Sequence, residues 1–218
     1  MLAVIAAASA PGDYQSAPAV EKNMNLLRAY LVHGCGSQEL IDRVLLLWAS
    51  TKTPGLLTSA QQKSITDEAL SKQQADGGCS LSSFVGEWKR RDDTPLKTRS
   101  DGYAPGVVAL ALQESGMKRD QPQLQRALAW LETNQEKTDG RWLAYSLNKQ
   151  RDLSSYIGRF MSDAATAYAV LALCDRGSQP ASLGGALALH TLLLMNEPSP
   201  EATPRVSHSA QSSLPLLR

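Results

Sequence analysis

A dominant charge is the first thing this chain lacks. Lys plus Arg number 22 against 21 for Asp plus Glu in 218 residues, so no broad field exists to hold a nucleic acid or an anionic membrane, and both partners are disfavoured. Cysteine is scarce as well. Cys35, Cys79 and Cys174 lie far apart and cannot all pair, which argues for reduced thiols rather than a disulfide framework. Among the three histidines, His33, His190 and His208, there is no ligand spacing, so no metal site is expected. No Ser-His-Asp set, nucleotide-binding loop or haem-attachment motif is readable, and no cofactor is called for. No apolar run reaches the roughly 20 residues that span a bilayer.

The N-terminus has one ambiguous feature. Ala8-Ser9-Ala10 resembles a signal-peptide cleavage site, but no basic region precedes it and Leu2 to Ala8 is short for a leader. We read that segment as the last half of a buried helix that begins outside this chain. A longer parent could be periplasmic or membrane-associated, and localisation stays open.

What is present is a 43% hydrophobic composition, enough for the core of one domain. Its apolar residues recur at helical spacing. Val20, Met24, Leu27 and Leu31 mark one face of a helix over residues 19–32, and Ser37 is placed to N-cap a helix over 38–50 that is apolar nearly all round. Ser59 opens a polar helix ending at Lys72-Gln73-Gln74. Gln74 and Gln135 stand 61 positions apart, as do Leu112 and Leu173, which end two alanine-rich helices over 101–112 and 162–173. The series from Leu2 therefore alternates buried and polar through about seven helices. Residues 1–176 form the periodic part. In residues 177–218, Gly184 to Met195 reads as a short helix, followed by a disordered tail rich in Pro and Ser.

The most specific motif lies between Arg126 and Trp142. Arg126, Ala127, Trp130, Leu131, Gln135, Gly140 and Trp142 fill every slot of a pattern that resembles the QW motif of the squalene-hopene cyclase and prenyltransferase repeat superfamily. In the preceding repeat Ala69 and Cys79 replace the aromatic and the tryptophan. We read Gln135 as meeting open carbonyls at a helix end and stacking on the indole of Trp142. The resemblance implies an all-α fold, here an incomplete α/α toroid with inner helices around an axis and outer helices shielding them. About half a ring would leave inner-helix faces uncovered, requiring missing N-terminal sequence or a homo-oligomer.

The resemblance also directs attention to particular residues. The cyclases carry an Asp-x-Asp-Asp acid motif before Thr-Ala at the start of an inner helix. The matching frame here is Ser162-Asp163-Ala164-Ala165, with a single acid out of register. Asp163 and the equivalent Asp101 are thus candidate catalytic acids, with helix capping as the competing reading. The Asp-x-Cys zinc ligand of the prenyltransferases is missing. Lys89-Arg90-Arg91-Asp92-Asp93 is read as a solvated loop. The long connection from Trp142 to Met161 supplies candidate ligand contacts in Asn148, Arg151, Asp152 and Arg159, or else surface ion pairs that tie it down; Tyr103 and Trp142 could line a site or simply pack. The expectation is a non-catalytic repeat domain binding an isoprenoid, another lipid or a protein partner on its inner-helix face. The alternative is the C-terminal part of a terpene cyclase that protonates an alkene.

Overall fold

The structure, a computed structural model, describes residues 1–12, 14 and 17–174. The stretch 177–218, with its expected helix and tail, lies outside the described residues. Among the described residues the chain is all-α: seven helices and no strand. They are α1 (Leu2–Ala8), α2 (Pro18–Gly34), α3 (Leu40–Lys52), α4 (Ser59–Ser71), α5 (Tyr103–Glu114), α6 (Pro122–Thr133) and α7 (Tyr156–Leu173).

Their contacts follow the alternation in the sequence. The odd-numbered helices pack in succession, α1 on α3, α3 on α5 and α5 on α7, while α2 lies on α1, α4 on α3, and α6 on both α5 and α7. Composition explains the two rows. Every residue of α5 from Tyr103 to Leu112 is buried and α3 is buried from Val44 to Ser50, whereas α4 buries only Ile65 and Ala69 and turns its Gln, Lys and Asp side chains outward. A helix without a polar face must be surrounded; a two-faced helix can do the surrounding.

The α5–α7 contact is the closest. A Cβ on Gly106 would meet the backbone nitrogen of Ala169 at 3.0 Å and the Cβ of Tyr168 at 3.1 Å, so glycine at this position lets the backbones approach. About two turns further on, Gln113 Nε2 donates to the Ala172 carbonyl at 2.9 Å, so positions rise together along the two helices and they run parallel.

One helix start differs from the sequence reading. Ser37 does not cap α3: it sits in a 3-10 turn, Cys35–Ser37, with its hydroxyl donating back to the Gly34 carbonyl at 3.1 Å, and Glu39 takes the capping position. Tyr168 of α7 meets Tyr103 edge-on at 5.4 Å between ring centroids and Trp48 of α3 at 6.5 Å, so aromatic side chains from α3 and α7 close over the start of α5.

The repeats are joined through the turn after α4. Arg126 of α6 donates to the Gln74 carbonyl at 2.9 Å, and the Trp130 indole N–H donates to Asp76 Oδ2 at 3.0 Å. Gly77 makes this fit possible, since it has φ +92° and a Cβ there would lie 2.7 Å from the Arg126 carbonyl oxygen. We expect Gly77→Ala to lower stability by about 2–4 kcal/mol through strain and overlap. Urea unfolding checks this, and a loss below about 0.5 kcal/mol would mean that the α4–α6 junction carries no strain.

Candidate functional site

The N-terminus of α5 gathers the most polar chemistry in the buried layer. Asp101 stands just before the helix, 3% exposed. Its Oδ1 accepts backbone N–H groups from Tyr103 at 2.9 Å and Ala104 at 3.2 Å, and its Oδ2 accepts from Leu81 at 2.6 Å. The carboxylate therefore caps α5 and ties it to the 3-10 turn Leu81–Phe84. Burial pushes its pKa up to about 6, against the opposing pull of the Leu81, Ala104 and Tyr103 N–H donors. The neighbouring Cys79 is buried, and desolvation, followed by the Asp101 and Asp76 charges, raises its thiol well above the usual range. Tyr103 is pushed up to about 12, chiefly by burial.

Asp163 is placed differently. α7 begins at Tyr156, eight residues earlier than the alignment with α5 implies, with Ser155 as its N-cap accepting from Gly158 N. Asp163 thus lies in mid-helix on an exposed face, neither a cap nor a buried acid. The early start also shortens the connection after Trp142, which ends at Ser155.

Trp142 is 3% exposed, and the division of labour in its staple is the reverse of the expected one. Its indole N–H donates to the Leu131 carbonyl near the end of α6 at 2.8 Å, while the Gln135 amide donates to Gly140 O at 2.6 Å and closes the turn. The Trp142 backbone N–H reaches Thr166 Oγ1 of α7 at 3.0 Å, and Leu143 O accepts the N–H of Gly102 at 2.7 Å. The end of α6, the residue before α5 and the middle of α7 thus meet around Trp142 and Leu143. In the preceding repeat Gln73, rather than Gln74, closes the turn by donating to Gly77 O at 2.9 Å; Gln74 reaches across to Thr98 O at 2.7 Å.

Asn148, Arg151, Asp152 and Arg159 are all exposed. They do not converge on Asp101. Asp152 is held by the Ser154 hydroxyl and N–H, which keep its carboxyl below the usual range, and its carbonyl accepts from Ser155. Asn148 contributes its backbone carbonyl to Arg91 N at 2.8 Å. The surface ion pairs expected of Arg151, Asp152 and Arg159 are not among those formed by the described residues, Arg43–Glu68, Lys52–Glu114, Lys63–Asp67 and Asp139–Arg141.

The loop is fastened instead by a residue read as solvated. Arg90 is 4% exposed, with Nε and Nη2 donating to Ser146 O at 3.0 and 2.8 Å and Nη1 to Pro95 O at 2.8 Å. Trp88 Nε1 donates to Leu147 O at 3.0 Å, and Gln150 N to Asp92 Oδ2 at 2.7 Å. Nothing in the local run Lys89 to Asp93 marks Arg90, because its partners lie outside that run: the Thr94 hydroxyl and Pro95 carbonyl just after it, and the Ser146 carbonyl brought near by the fold. No group of three or more His, Cys, Asp and Glu suited to a metal ion exists among the described residues.

Comparison with known proteins returned nothing: no family model, curated protein or solved structure matches this chain.

The buried Asp101 makes stability depend on pH. Its pKa is higher folded, about 6, than in an unfolded chain, about 3.9, so between these values the folded state holds more protons and stability falls as pH rises. The contribution is full below about pH 4 and gone above about pH 6, a change of roughly 3 kcal/mol at most. Asp101→Asn cannot titrate and must aim its NH2 at a backbone N–H. It should flatten the pH 4–6 slope in urea unfolding and cost about 1–3 kcal/mol at pH 4. An unchanged slope would assign the titration to another group.

Proposed function

We propose that this chain is a squalene-cyclase-like repeat domain, without catalysis of its own, that binds an apolar partner along the inner-helix face of α7. The partner is an isoprenoid or other lipid chain, or an apolar segment of a protein. The observation that carries this reading is the exposure of Tyr156 at 83%, Ile157 at 48% and Val170 at 46% on a helix whose other side packs against α5 and α6. Large apolar side chains left in water on an inner helix favour a partner that removes them from it. The Gln135–Trp142 staple and the two rows of helices support the resemblance on which the ligand class rests.

Against catalysis, both oxygens of Asp101 are taken up by N–H donors, and Asp163 stands alone in solvent. The second reading, the C-terminal part of a terpene cyclase, draws on the pKa of Asp101, which near pH 6 leaves a fraction of buried carboxylic acid available as a proton donor. Such a donor needs an apolar cavity around the alkene.

Equilibrium dialysis against farnesol, with product analysis after incubation with squalene, separates the two. We expect saturable farnesol binding that Val170→Asp weakens about tenfold or more, corresponding to about 1.4 kcal/mol, and no cyclised product. A cyclised product that disappears in Asp101→Asn or Asp163→Asn would replace the binding reading with the enzymatic one.

A further inference from the structure

The 61-residue repeat identifies what the exposed stripe of α7 is shaped to meet. On α5, Gly106 and Gln113 face α7, Gly106 at the closest backbone approach and Gln113 through its bond to Ala172 O, with Ala109 between them on the same helical face. One period later these positions are Ala167, Val170 and Cys174, preceded by Asp163 where the first repeat has Gly102. Asp163, Val170 and Cys174 are exposed and Ala167 is half-buried. The stripe is therefore the surface on which a further inner helix would sit, continuing the α5–α7 interface by one step. The apolar stretch 184–195 does not fall in that register: it stands one period after α6, an outer helix.

Apolar exposure elsewhere is concentrated at the opposite end of the row. Of the large hydrophobic side chains that are exposed among the described residues, Tyr156, Ile157 and Val170 lie on α7, and Leu26, Tyr30 and Val32 on α2, with Tyr14 just before it. The remaining one, Trp88, is engaged through its indole N–H. At the α1–α2 end, Ala3 of the inner helix α1 is exposed, and Pro18, Glu21, Lys22, Asn25 and Leu26 line an open depression. Beside this small-residue inner helix, the depression offers Pro18 and Leu26 to the projecting Val170 and Tyr156. Each edge also offers one charge of either sign, Arg159 and Asp163 on α7, Glu21 and Lys22 on α2.

We infer that the partner of the α7 face is a second copy of this chain, and that copies join head to tail, the α7 edge of one receiving the α1–α2 edge of the next. The two edges are different surfaces, so the contact is heterologous and adds subunits in one direction until a ring closes or a filament grows. This rests on the binding reading above and names its occupant.

The test is light scattering after size-exclusion chromatography of the full chain, over a hundredfold range of concentration, with Val170→Asp and Leu26→Asp compared singly and mixed. Both positions are exposed, 46% and 61%, so the variants should fold, which circular dichroism confirms. The wild type should assemble with rising concentration, each variant should be monomeric, and the equimolar mixture should form a one-to-one dimer through the single compatible pair of edges. A wild type that stays monomeric, a Leu26→Asp chain that still dimerises, or a mixture that stays monomeric would each overturn the inference. Farnesol binding measured on the same samples separates the failures: a monomer that binds farnesol leaves the apolar-partner reading standing, and a monomer that does not removes both.

Discussion

A helix with no polar face governs this molecule. α5 is buried from Tyr103 to Leu112, and the rest of the chain supplies its cover: α3 and α7 on either side, α6 behind, and the Tyr168–Tyr103 and Trp48–Tyr168 contacts over its first turn. Burying such a helix removes apolar area from water on all sides at once, but its ends then lie in the interior with open N–H groups. Asp101 answers that problem at the N-terminus. Its elevated pKa is the electrostatic cost of placing a carboxylate where the helix needs an acceptor.

The same constraint accounts for the Gln–Trp turn. Burying α5 beside a parallel α7 requires α6 between them in the chain to stop, reverse and deliver the chain to α7 without leaving carbonyls unpaired. Trp142 does this with one side chain, filling the space between α5, α6 and α7 while its N–H takes the Leu131 carbonyl. The first repeat reaches a similar result by other means. Gln73 closes the turn, Asp76 accepts from Trp130 of the next outer helix, and Cys79 fills the smaller buried space. Losing an indole in one repeat is offset by borrowing one from its neighbour, which couples the two repeats.

Polarity is distributed to match. The loops over the start of the inner helices, 85–102 and 142–155, hold each other through backbone carbonyls and the buried guanidinium of Arg90, a geometry that suits a rigid cover better than a mobile lid. The reactive-looking residues of the second loop, Asn148, Arg151 and Asp152, are left on its outer side. Apolar surface remains instead at the two ends of the row, where a repeat structure ordinarily meets either more of itself or a cap.

The all-α class, the order of buried and polar helices and the place of the Gln–Trp turn were legible in the sequence because each rests on local periodicity or on residues close together in the chain. Helix ends were less so. Ser37 has the chemistry of a cap, but Glu39 holds the position because the chain first makes a 3-10 turn, and α7 starts at Tyr156 because Ser155 caps it there. The site residues were the least legible. Whether Asp101 is buried and Asp163 exposed, whether Arg90 is solvated or enclosed with the Ser146 carbonyl, and whether the start of α5 is covered by Tyr168 and Trp48 all depend on groups dozens of residues away. Periodicity along a chain determines which face of a helix is apolar; only the packing of one helix on another decides whether that face, and the charges beside it, meets water.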